Sequence, residues 1–167
     1  MGAKLIVIRG NSASGKSSVA KKLRAKLDDR TALVEQDYLR RVVLEAKGES
    51  GPDNVELIFQ TVRFALDRGY NVILEGILGS HHYRPMFERL IEIHPDGNHC
   101  FYLDVSFEET LRRHATKPNH LEFGEAEMAD WYKPGDIIDI LEERIIGENS
   151  GFDETVELML KSLSSAN

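Results

Sequence analysis

Eight residues near the amino end, Gly10-Asn11-Ser12-Ala13-Ser14-Gly15-Lys16-Ser17, constrain the fold of this chain more than any other stretch. The run before them, KLIVIRG (4–10), is apolar and reads as a buried strand. The run after them, KSSVAKKLRAKL, places Val19, Leu23 and Leu27 four residues apart on one helical face. Small residues at such a junction let backbone N–H groups converge on one point and form an anion-binding nest. The helix adds its free N–H groups and the positive end of its dipole. The spacing G-x-x-x-x-G-K-[ST] supplies a point charge, Lys16, and a hydroxyl, Ser17. From average composition, these four fixed positions arise by chance in a chain of this length at roughly the half-percent level.

Short apolar runs and amphipathic stretches alternate along the rest of the chain. TALVEQD reads as a second strand, and YLRRVVLEAK as a helix stopping near Gly48. ESGPDNVELIFQTVRFALDRGY opens on a Pro/Asp/Asn cap signal, carries Val55, Ile58, Val62 and Leu66 on one face, and ends at Gly69. NVILEG is apolar enough to be buried on both faces as a third strand. YRPMFERLIEIH is a helix and NHCFYLDV a fourth strand. SFEETLRRH is a helix opened by a capping box, Ser106 with Glu109 three residues on. ERIIGEN suggests a short fifth strand, and DETVELMLKSL a terminal helix. This alternation predicts an α/β fold: a three-layer α/β/α sandwich around a five-stranded parallel sheet, with 1–167 as one domain. Ligands of such sheets bind beyond the carboxyl ends of the strands, where the eight-residue loop lies.

Apolar residues make up 41% and charged residues 29% of the chain, a globular balance. The net charge of −7 argues against broad binding to nucleic acid or anionic membrane, while leaving room for a local basic cleft. Cys100 is the single cysteine; it lies in an apolar run and reads as a buried core residue in a reducing compartment. Met1 to Ile8 lacks the apolar core of a secretory signal, and no run approaches the ~20 apolar residues of a membrane span. The expected location is cytoplasmic.

Gly10, Gly15, Lys16 and Ser17, in this setting, resemble the phosphate loop (Walker A motif) of the P-loop nucleoside-triphosphatases. Residues 10–18, with Asn11, Ser12, Ala13, Ser14 and Ser18 between the fixed positions, would then hold the phosphates of ATP. Ser17 would ligate Mg²⁺. No guanine-reading Asn-Lys-x-Asp follows a late strand. The third strand ends in a single Glu75, not the Asp-Glu of transport or AAA-type ATPases. The second strand ends EQDYLRR, which sets Asp37 beside the phosphate loop and Arg40 on the same helical face. An aspartate there also suits a helix N-cap, and the two roles are compatible. The phosphate loop with QDYLRR resembles a kinase subgroup of chloramphenicol phosphotransferase, zeta-toxin, gluconate-kinase-like and 5′-hydroxyl polynucleotide kinases.

That resemblance implies an ATP- and Mg²⁺-dependent kinase acting on a hydroxyl of a small molecule. Asp37 would be the base, Lys16 and Arg40 would assist, and Glu75 would share the metal with Ser17. It also implies a basic mobile lid, here 112–136, in which Arg112 or Arg113 meets phosphate, one at the nucleotide and the other at the transferred group. Basic residues ending a helix also complement its dipole, so both readings stand. His114 and Lys117 belong to the same basic stretch, and Pro118 to Asp136 reads as long, polar and irregular. Tyr83 and Arg84 are candidates for the acceptor pocket. The loop GENSGFDET would lie beside the adenine. The expected assembly is a monomer or homodimer. A 5′-hydroxyl polynucleotide kinase and a nucleotide-binding regulator are the rival readings.

Overall fold

The computed structural model describes residues 2–27, 30–46, 51–116 and 123–165. Lys117 and Pro118, from the basic stretch, and Gly48, the expected helix stop, lie outside the described residues.

Strands β1 (Leu5–Gly10), β2 (Thr31–Glu35), β3 (Asn71–Gly76), β4 (Asn98–Asp104) and β5 (Arg144–Gly147) form a parallel sheet in the order β2-β3-β1-β4-β5. Between them run α1 (Lys16–Lys26), α2 (Gln36–Tyr38), α3 (Pro52–Asp67), α4 (Ser80–Ile93), α5 (Phe107–Ala115) and α6 (Glu125–Trp131), and α7 (Phe152–Ser165) follows the last strand. Because strand side chains alternate faces, β1 feeds two cores. Leu5 and Val7 join α3 and α4 residues such as Ile58, Val62, Met86 and Phe87, while Ile6 and Ile8 join Val19, Leu23, Val156 and Met159 of α1 and α7. The result is the three-layer α/β/α sandwich. Cys100 is buried, and burial pushes its thiol up to about 12.

Several local expectations are corrected. The second strand stops at Glu35, so Gln36 and Asp37 already belong to a helical turn. That turn continues as a π-helical turn, Leu39–Val43, and not as a long α-helix. Helix α3 has Pro52 at its start, after Gly51, and no side-chain cap. The capping box at Ser106 forms by half: its Oγ accepts the Glu109 N–H at 3.4 Å, but the carboxylate that takes the Ser106 N–H, at 2.8 Å, is that of Glu148. Glu109 is drawn off by two arginines of its own helix. Within the segment expected to be irregular, Glu125–Trp131 is helical. Its acidic character serves that helix: Glu125 and Glu127 sit in the first turn, favoured by the dipole, and the Glu127 carboxylate accepts the Gly124 N–H at 3.0 Å.

Candidate active site

The phosphate loop joins β1 to α1, and Gly15 is the helix N-cap in a left-handed conformation. Gly10 has φ 150°, and a Cβ there would meet the Leu103 carbonyl oxygen at 2.7 Å, so glycine is required both by conformation and by space. Ala13 takes φ 59° without being glycine, a strained choice for an L-residue. Lys16 is buried, and its ammonium donates to the Asn11 carbonyl at 2.7 Å and lies 3.4 Å from Ser14 Oγ.

Ser17 Oγ donates to Glu75 Oε1 at 2.9 Å, joining the start of α1 to the end of β3. Glu75 pairs in register with Ile8 on one side and Glu35 on the other, and is only 4% exposed. Burial raises its pKa; the Lys16 charge and the Ser17 hydrogen bond oppose this, and the charges of Glu35 and Asp37 reinforce it. A buried carboxylate beside a hydroxyl, both oxygen donors, suits a hard cation such as Mg²⁺.

Strand β3 separates β2 from β1, so Asp37 stands two strands from the phosphate loop and not directly beside it. Glu75 lies between them, near enough to feel both Lys16 and Asp37. Asp37 is not the helix N-cap; Glu35 holds that place. Its carboxylate is 64% exposed, takes the Arg40 guanidinium at 3.1 Å and has Arg41 at 3.7 Å. Asp37 and Arg40 therefore share one face, as their spacing indicates.

The two arginines of α5 separate clearly. Arg113 Nη1 donates to the Ser14 carbonyl at 3.0 Å, Nη2 to the Glu148 carbonyl at 3.3 Å, and Nε to Glu109 at 2.7 Å. It lies against the phosphate loop. Arg112 is 71% exposed and makes a two-point pair with Glu109 at 2.6 and 2.7 Å. Hydrogen bonds from Arg112 first, and Arg113 second, hold the Glu109 carboxyl down at about 2. Arg113 also meets Glu148 in the loop expected beside the adenine. Tyr83 is a core residue whose hydroxyl accepts from Gln36 at 2.9 Å and Asn54 at 2.7 Å, and Arg84 pairs with Glu88 and Asp139 at the surface. A shallow groove of about 550 Å³ along the open edge of β5 is lined by Arg144 and Ile146 and by Gly147, Asn149, Ser150 and Glu154 of the loop expected beside the adenine, but by no residue of the phosphate loop and by neither Glu75 nor Asp37.

Sequence reasoning missed Arg9, and it placed Asn11 among the phosphate-holding residues without foreseeing the bonds of its side chain. Arg9 is completely buried and bonds Glu143, Asp136 and Leu78. Asn11 spends its amide on Lys133, accepting its N–H and donating to its carbonyl, both at 2.9 Å. The available signal was a lone arginine inside an otherwise apolar strand.

A family model described as an AAA domain matches residues 5–133. The chain belongs to that family. Its fold is that of the P-loop kinases, and the third strand ends in one glutamate despite the family's AAA label. The Mycobacterium tuberculosis APS kinase CysC, solved with AMPPNP and APS, superposes with a TM-score of 0.78 at 20% identity, covering 98% of this chain and 99% of that one. A gluconokinase from Sinorhizobium meliloti 1021 gives 0.62 at 18%, covering 98% and 91%. A chain of the Pnkp1/Rnl/Hen1 RNA repair complex gives 0.56 at 18%, covering 77% and 42%. No curated protein sequence matches. These likenesses are those of the P-loop kinase fold suggested by the motifs. No described helix is long and apolar enough to cross a membrane.

Proposed function

We propose that this protein is a kinase that moves the γ-phosphoryl group of ATP to a hydroxyl of a small molecule. The observation that carries the reading is the row of groups on one sheet edge: Lys16 and Ser17, then Glu75 bonded to Ser17, then Asp37 with Arg40. The loop amides and Lys16 would bind the triphosphate, Lys16 exchanging its bond to the Asn11 carbonyl for phosphate oxygens. Ser17 and Glu75 fit Mg²⁺, which when bound would neutralise charge on the phosphates. Asp37, exposed and so open to an acceptor, would orient and deprotonate the alcohol, with Arg40 setting its carboxylate. Arg113, held at the phosphate loop by Ser14, is the better placed of the two arginines to meet transferred charge, and Arg112 would act only if the expected lid closes ahead of Lys133 and Asp136, which Asn11 and Arg9 tie to the strand carrying the phosphate loop.

The test is transfer of labelled phosphate from ATP, with Mg²⁺, to a panel of sugars, nucleosides and drug-like alcohols, with a 5′-hydroxyl oligonucleotide included. Label on a small molecule supports the reading. Label only on the oligonucleotide moves it to polynucleotide kinase, a role the RNA repair likeness raises and the charge of −7 opposes. Tight nucleotide binding with no transfer to any member favours a regulator.

A further inference from the structure

Arg9 precedes Gly10, the first residue of the phosphate loop, and no part of its side chain reaches solvent. A cation in the middle of a sheet is costly unless paired and fully hydrogen-bonded. Here every arm is engaged. Nε donates to the Leu78 carbonyl at 3.0 Å, Nη1 to both oxygens of Glu143 at 2.8 Å, and Nη2 to the carbonyl and carboxylate of Asp136 at 2.9 Å each. The partners belong to two connections: 77–79, which leads from β3 into α4, and 133–143, which returns from α6 to β5.

Further bonds lock these loops together. Asp136 accepts the Ser80 N–H at 3.0 Å and also the Ser80 hydroxyl, and Glu143 accepts the Ile138 N–H at 2.8 Å. Asn11 adds its two bonds to Lys133. The Leu78 N–H donates to Gln36 Oε1 at 3.1 Å, one residue before Asp37. Leu78 sits at φ 45°, strained for a branched side chain, with both its backbone groups taken by Arg9 and Gln36. Gly76 permits this closeness, since a Cβ there would fall 2.3 Å from Gln36 Oε1.

None of these bonds uses the Lys16 ammonium or the Ser17 hydroxyl. They fix the loop between Glu75 and α4, alongside the Asp37 turn, and they do so from the strand that carries the phosphate loop. We propose that Arg9 is a positioning residue for the acceptor: it sets Leu78–Ser80 and 133–143 against the phosphate loop as one piece. The role in acceptor binding rests on the kinase reading; the tie itself does not.

The test uses Asp136→Asn, which leaves Arg9 and Glu143 as a one-to-one pair and strands no buried charge. For the acceptor found by the transfer panel, KM should rise tenfold or more, with the Kd for Mg-AMPPNP within twofold of native. Amide exchange at Leu78 and Ser80 should quicken at least tenfold while Val72 to Leu74 of β3 stay protected. Ser80→Ala, which changes no charge, should give the same acceptor effect at about threefold and serves if the first variant does not fold. A lower melting temperature with unchanged acceptor KM would make the cluster structural only. Unchanged exchange at Leu78 and Ser80 would remove the tie. If the native protein phosphorylates nothing, the kinase reading and the acceptor role both fall, and the exchange result still decides the tie.

Discussion

Lys16, Ser14 and Glu75 are buried, whereas Asp37, on the same sheet edge, exposes most of its carboxylate. The phosphate half is a stretch of consecutive residues braced by α1, β3 and Arg113. The acceptor half stands on one turn that widens into a π-helical turn, with Tyr38, Val42 and Val43 exposed beside Arg40 and Arg41. The two halves answer different demands. A triphosphate is the same for every kinase and rewards a rigid, dry cradle. An acceptor varies, and a surface turn can change its side chains without disturbing the core. π-Helical turns recur at functional sites for a related reason, since they re-aim side chains locally.

Four substitutions separate the two halves. Asp37→Asn should lower kcat by roughly a thousandfold, within the range for loss of a general base, while nucleotide affinity measured by calorimetry stays the same. Loss of nucleotide binding in that variant would mean the halves are one. Lys16→Met should weaken nucleotide binding by roughly a hundredfold, from about two charge-assisted hydrogen bonds, and leave the melting temperature of the free protein near native. The third concerns pH. The carboxyl of Glu75 titrates higher in the folded protein than its ordinary 4.5 because it is buried. The folded state therefore holds the proton longer than the unfolded state, and this group's contribution to stability falls as pH rises from 4.5 through its raised value. Glu75→Gln should remove that fall in urea melts of the free protein between pH 4 and 8, and should also remove Mg²⁺ dependence of nucleotide binding. A steeper fall in the variant would contradict the burial. The smallest effect is Ala13→Gly: relief of a left-handed alanine against the extra entropy of glycine should leave stability within about 1 kcal/mol of native, measured by the same melts.

Much of this was legible because the controlling residues are close in sequence or related by sheet topology. The phosphate loop is contiguous, and Ser17 meets Glu75 because a parallel sheet sets the end of β3 beside the start of α1. Asp37 and Arg40 obey helical spacing. What stayed hidden depends on distant partners. Arg9 meets Asp136 and Glu143 at separations of 127 and 134 residues, and nothing local announces which loop will return to it. Glu148 displaces Glu109 at the Ser106 N–H from 42 residues away, and Glu109 is freed to hold Arg112 and Arg113. Helix α6 is short and polar, and its buried residue, Met128, gives too little periodicity to reveal it. Arg112 and Arg113 were indistinguishable by type; only the packing of α5 turns one to Ser14 and the other outward.

The most direct measurement is a crystal structure with Mg-AMPPNP. Residues 10–18 should wrap the three phosphates, with the metal held by Ser17 on the Glu75 side, and an open space should lie between the terminal phosphate and the Asp37 carboxylate. Phosphates bound elsewhere, or an Asp37 carboxylate shut off from the terminal phosphate by protein, would contradict the kinase reading.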